Sequence, residues 1–180
     1  TTRELDPYVY FSTGGYIGTY NAYTKTVSYV SHRNVSRLDF RLYRLSLQDL
    51  ASFVRDYWWD AWDSFEPDSR DLVRSWSKKV DAPLNKTIIT RIPLSESEDG
   101  RLPPGLYYLR VSTPEDLEGA KQVLAVSRLN LALKQSSREA LVWATDLSNG
   151  QVVPNVPVVF YSEFGEEVAR GKTDTDGVLK

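Results

Sequence analysis

Cysteine is missing from all 180 residues, and so is methionine. The first absence removes disulfides, a thiol nucleophile and thiolate metal ligands together, and leaves the compartment unread. The second extends to position 1, which is Thr1, and leads to the expectation that the sequence is an excised piece of a longer protein. A single histidine, His32, gives no imidazole cluster for zinc and at most one imidazole for a catalytic triad. No Gly-x-Ser-x-Gly elbow accompanies it, and His32 is expected on the surface or at a strand end. No apolar run approaches the roughly 20 residues that span a bilayer. Thr1-Thr2-Arg3-Glu4-Leu5-Asp6-Pro7 is not a signal peptide, so in an exported parent the targeting segment would lie upstream. Excess positive charge is lacking too: Lys and Arg number 22 against 24 Asp and Glu, and the two signs are interspersed. Without a basic stripe to neutralise phosphates, nucleic acid is not an expected partner.

What the sequence does contain is 41% hydrophobic residues, enough for a core. Tyr8-Val9-Tyr10-Phe11, the Gly14-Gly15 turn and the Tyr- and Thr-rich stretch that follows to about Val30 favour pleated sheet. In Leu38-Asp39-Phe40-Arg41-Leu42-Tyr43-Arg44 the apolar side chains Leu38, Phe40 and Leu42 share one face, and Asp39 and Arg41 take the other. The period then changes. Ser46-Leu47-Gln48-Asp49 resembles a capping box, and Leu47, Leu50, Val54, Trp58 and Ala61 recur at helical spacing, which predicts a helix over roughly 47–61. Glu66-Pro67-Asp68-Ser69 interrupts it, and Leu72, Val73 and Trp76 fit either a short helical turn or an extended arm. Strands are expected again at 87–92, 105–111 and 122–126. A second series, at 129–134, 140–145, 156–161 and 167–171 with polar turns between, signals another antiparallel sandwich. A seven-stranded sandwich takes about 100 residues, so the second module is expected to be incomplete, with an unpaired edge and partly uncovered Val156, Val158 and Phe160.

Several motifs invite chemistry and admit a plainer reading. Thr173-Asp174-Thr175-Asp176-Gly177 resembles the start of a cation loop, and the residues present do not include the rest of that loop. An Asp-Gly hairpin turn is favoured over a metal. Tyr57-Trp58-Trp59-Asp60-Ala61-Trp62-Asp63-Ser64-Phe65-Glu66 could be a sugar platform, and Asp60, Asp63 and Glu66 could do acid and base work. Packing of Trp58, with or without Trp62, beneath solvated carboxylates is preferred. The remaining rings then mark a domain-contact surface made by Trp59, Trp62 and Phe65. Gly14-Gly15-Tyr16-Ile17-Gly18 has the wrong spacing for a phosphate loop and reads as a hairpin turn. Asn34-Val35-Ser36 and Asn85-Lys86-Thr87 are glycosylation sequons, read as chance occurrences.

Taken in order, Asn34-Val35-Ser36 before Leu42-Tyr43-Arg44, Pro103-Pro104-Gly105-Leu106-Tyr107-Tyr108 and Val123-Leu124-Ala125-Val126-Ser127 resemble a macroglobulin domain of the alpha-2-macroglobulin family, bacterial branch. Leu131-Ala132-Leu133-Lys134, Ala140-Leu141-Val142-Trp143-Ala144-Thr145-Asp146, Gly150-Gln151-Val152-Val153-Pro154 and Thr173-Asp174-Thr175-Asp176-Gly177 resemble the start of the next one. The resemblance implies a mainly β, immunoglobulin-like antiparallel β-sandwich with one inserted helix near 46–62, spanning 1–127, followed by a truncated second β-sandwich at 128–180. It implies a broad-spectrum protease inhibitor in which cleavage of a bait segment collapses the molecule around the protease and a Cys-derived thioester can attach it. No bait-like stretch and no Cys occur here. The expected role is therefore scaffold, without catalytic residues, cofactor or metal. Its expected partners are neighbouring macroglobulin domains and the parent's target proteases. The expected location is periplasmic or envelope-associated, with no membrane insertion by this segment. The competing reading is a surface adhesin or carbohydrate-binding sandwich built on Trp58 to Trp62.

Overall fold

The computed structural model describes residues 3–12, 15–55, 62–162, 164 and 166–180. Its contacts divide the chain into two compact units, Thr1–Leu45 with Pro67–Val126, and Ser46–Glu66 with Ser127–Lys180. The first carries strands β1 (Tyr8–Phe11), β2 (Ile17–Asn21), β3 (Val27–Arg33), β4 (Arg37–Leu45), β5 (Leu72–Lys79), β6 (Ile88–Pro93), β7 (Gly105–Ser112) and β8 (Ala120–Ser127). They form a three-stranded sheet, β1-β3-β6, and a five-stranded sheet, β2-β8-β7-β4-β5.

β4 shows why this unit is a sandwich. Its alternation puts Leu38, Phe40 and Leu42, none more than 1% exposed, on one face, with Leu109 and Val111 of β7 beside them. Val9, Phe11, Val30 and Ile92 of the smaller sheet complete the same buried cluster. Each large apolar side chain so buried contributes about 1.5–3 kcal/mol relative to exposure. Tyr107, wholly buried in this core, keeps its hydroxyl satisfied by donating to the Pro103 carbonyl at 2.8 Å.

The stretch that the sequence left open between helix and extended arm is strand β5. Asp68 accepts from the Arg70 amide at 2.8 Å and caps a 3₁₀ turn at Ser69–Asp71, which redirects the chain into the sheet. Trp76 then stacks on its cross-strand partner Phe40, with ring centroids 4.9 Å apart, and the Arg74 guanidinium lies 4.1 Å over the Trp76 ring. Such ring pairs add about 0.5–1.5 kcal/mol beyond burial.

His32 is the next-to-last residue of β3, but it is not on the surface, being 1% exposed. Register explains this: His32 pairs with Val9 on one side and Ile88 on the other, so it shares the core-facing side of the small sheet with Val9 and Val30. Its Nε2 hydrogen-bonds the Thr90 hydroxyl at 2.9 Å, and burial pushes its pKa down.

The second unit holds helix α1 (Leu47–Arg55) and strands β9 (Leu129–Gln135), β10 (Ala140–Asp146), β11 (Pro157–Tyr161), β12 (Glu167–Lys172) and β13 (Val178–Leu179). The helix starts where the capping box requires: the Ser46 hydroxyl accepts from the Asp49 amide at 3.1 Å, and the Asp49 carboxylate accepts from the Ser46 amide at 3.0 Å. Its buried anchor is Phe53, while Leu47, first in the expected apolar stripe, is 59% exposed. The strands form two small antiparallel sheets, β13-β10-β9 and β11-β12. Val158 is buried, where partial exposure was expected, whereas Val156 and Phe160 are half-buried and so partly uncovered. Gly171, directly opposite Val158, has no side chain, and Leu179 fills its place so closely that a Cβ there would meet the leucine at 2.5 Å. Exposed apolar residues of this unit include Leu131 and Leu133 on edge strand β9, opposite buried Ala144 and Val142, as well as Trp143, Tyr161, Phe164 and Val168.

Candidate functional site

The aromatic cluster singled out in the sequence is seen in part. Trp59, with Tyr57, Trp58, Asp60 and Ala61, lies outside the described residues. Trp62 is 4% exposed and meets Phe53 edge-on at 5.4 Å, and half-buried Phe65 meets the same ring edge-on at 4.8 Å. Phe53, an anchor the helical spacing did not single out, thus gathers both rings. Asp63 and Glu66 are exposed beside them.

The two sequon asparagines are brought together. Asn34 and Asn85 both adopt left-handed backbone, with φ of 53° and 62°. The Asn34 amide donates to the Asn85 side-chain oxygen at 2.9 Å, and the Asn85 backbone N–H donates to the Asn34 side-chain oxygen at 2.7 Å. Their remaining donors reach the Leu5 and Arg3 carbonyls at 2.7 and 2.9 Å. The pair is a clamp on the N-terminal segment, and the amide nitrogens that glycosylation would modify are engaged.

The Asp-rich motif at 173–177 is a turn held by its own carboxylate. Asp174 Oδ1 accepts from the amides of Asp176 and Val178, each at 2.9 Å, and Gly177 has φ of 73°. Among the described residues no three His, Asp or Glu side chains converge as metal ligands.

A groove of about 350 Å³ opens on the five-stranded sheet, lined by Arg37, Asp39, Arg41, Ser75, Ser77, Arg110 and Ser112 with Phe40 and Trp76. Sequence reading did not single it out; its signal was the solvent-side alternation of β4. Arg37 grips both Asp39 oxygens at 2.9 and 3.0 Å, and the Ser77 hydroxyl donates to Asp39 at 2.5 Å. Those bonds hold the Asp39 carboxyl below its usual range and raise Arg37. On the smaller sheet, Tyr10, Tyr29 and Ile89 are exposed, and Tyr10 stacks on Tyr8 at 5.3 Å.

These features define a mainly β, two-unit chain with a hydrogen-bonded turn where a metal loop was conceivable. No family model matches the sequence, and no curated protein does either. Solved structures do match. Native alpha-2-macroglobulin from Escherichia coli spanning domains MG0, NIE and MG1 superposes with a TM-score of 0.76 at 18% identity, over 99% of this chain and 58% of that one. The NIE-MG1 piece of the same protein gives 0.74 at 15% identity, over 99% and 88%. Salmonella alpha-2-macroglobulin reacted with methylamine gives 0.72 at 19% identity, over 99% of this chain and 10% of that one. The chain thus has the fold of the matching segments of bacterial alpha-2-macroglobulins, as the sequence resemblance implied, and spans about three-fifths of the first of these structures and a tenth of the third.

Proposed function

We propose that this chain is a scaffold segment of an alpha-2-macroglobulin-like protease inhibitor, two consecutive sandwich modules at 1–127 and 128–180 that carry no chemistry themselves. The observation that carries the reading is that the likeness runs over 99% of the chain and therefore takes in both units, the NIE-MG1 piece being covered to 88%. A chance match of one sandwich would stop at a module boundary. The proposed partners are adjoining macroglobulin domains of the same protein and, for the whole molecule, proteases. The proposed location is outside the cytoplasm, in the periplasm or envelope. Among the described residues no helix is long and apolar enough to cross a membrane. The domain-contact role proposed for Trp59, Trp62 and Phe65 would be served by Trp62 through its hold on Phe53, and by the more accessible Phe65 directly.

Trapping has a distinctive readout. The full-length protein that carries this chain, mixed with trypsin, is expected to block cleavage of a large protein substrate while sparing hydrolysis of a small peptide ester. Equal activity on both substrates, with or without the protein, would contradict the proposal.

A further inference from the structure

The groove on the five-stranded sheet has an unusual distribution of charge. Arg41 on β4 stands directly opposite Arg110 on β7, and Arg110 opposite Lys121 on β8, so three cations form one row across three strands. Neighbouring strands lie about 4.8 Å apart, and like charges directly opposite repel. The next row sets Asp39 between Ser77 and Ser112. That carboxylate is already held by Arg37 and Ser77. Arg110 and Lys121 make further contacts of their own. Three guanidinium groups against one carboxylate still leave the lining with an excess of two positive charges, in a chain whose net charge is −2.

Shape and lining narrow the ligand. A volume of about 350 Å³ is near the small end of the roughly 300–1,000 Å³ typical of small-molecule pockets. Guanidinium forks match carboxylate and phosphate oxygens two at a time, and the serine hydroxyls both donate and accept. We infer that the groove binds a compact, hydroxylated oxyanion, a monosaccharide bearing a phosphate or a carboxylate, with Arg41 and Arg110 holding the anion and Ser75 and Ser112 serving its hydroxyls. The inference does not depend on the parent being a protease trap.

The test is a titration of the 180-residue chain with glucose 6-phosphate, glucuronate and neutral glucose, followed by amide chemical shifts. At least one charged sugar should saturate, moving amides of β4, β5 and β7, and the choice between the two identifies the anion. Glucose should move none. Arg41→Gln and Arg110→Gln should each weaken binding roughly tenfold or more, as expected for a lost charge-assisted hydrogen bond. Arg91→Gln, exposed on the other sheet, should leave it unchanged, and unaltered melting curves would show that the variants fold. Saturation by neither charged sugar, equal response to glucose, or equal loss from Arg41→Gln and Arg91→Gln would overturn the assignment.

Discussion

Asn34 and Asn85 stand 51 positions apart, and each is one half of the same clamp. Asn34→Ala would strain a left-handed position and strand partners in Asn85 and Leu5, while Asn34→Gly would keep the backbone and lose only the bonds. Chemical denaturation should show about 1–3 kcal/mol lost for Ala and less for Gly; equal stability of Ala and wild type would refute the clamp. At His32 the sign follows from burial. Its folded pKa lies below the ordinary value, so the unfolded chain takes up the proton first. His32 therefore costs no stability above pH about 6.5, and stability falls as pH drops from there toward the lower folded pKa. Between about pH 7 and 5.5 the thermal midpoint should fall more in wild type than in His32→Gln, which can still reach Thr90. Parallel curves would remove His32 from the account. The sequence displayed both asparagines and the histidine, but a left-handed pair closing over 51 residues, or a histidine turned inward by register, depends on strand pairing that local spacing does not contain.

Elements whose pattern was self-contained were legible. β4 announced itself because its alternation is uninterrupted over Leu38 to Leu42, and α1 because Ser46 and Asp49 supply their own cap. β5 was ambiguous because its strand character comes from Phe40, 36 positions earlier in the chain, and not from its own residues. Nothing in the spacing of Leu47, Leu50 and Val54 says which unit the helix joins. Two turns in the second unit allow a comparison. Gly150 and Gly177 both have φ of 73°, but a Cβ at Gly150 meets nothing within 4 Å, whereas at Gly177 it would lie 2.8 Å from the Ala144 carbonyl oxygen. Gly150→Ala should cost about 1–2 kcal/mol, the left-handed penalty alone, and Gly177→Ala measurably more, because the strand-facing backbone must also shift. Equal losses by urea denaturation would show that the turn beside β13 is looser than described.

At the scale of the whole molecule, the mainly β architecture of several antiparallel sheets was legible, since strand spacing and polar turns repeat with little regard to detailed packing. The groove was not, because its cations, Arg37, Arg41 and Arg110, come from two strands, β4 and β7, that meet only through register. The central proposal is that the parent of this chain changes shape when a protease cuts it. Small-angle scattering of the full-length protein, before and after limited trypsin cleavage, measures that directly. The account predicts a smaller radius of gyration after cleavage with the pieces still associated; an unchanged or larger radius would contradict it.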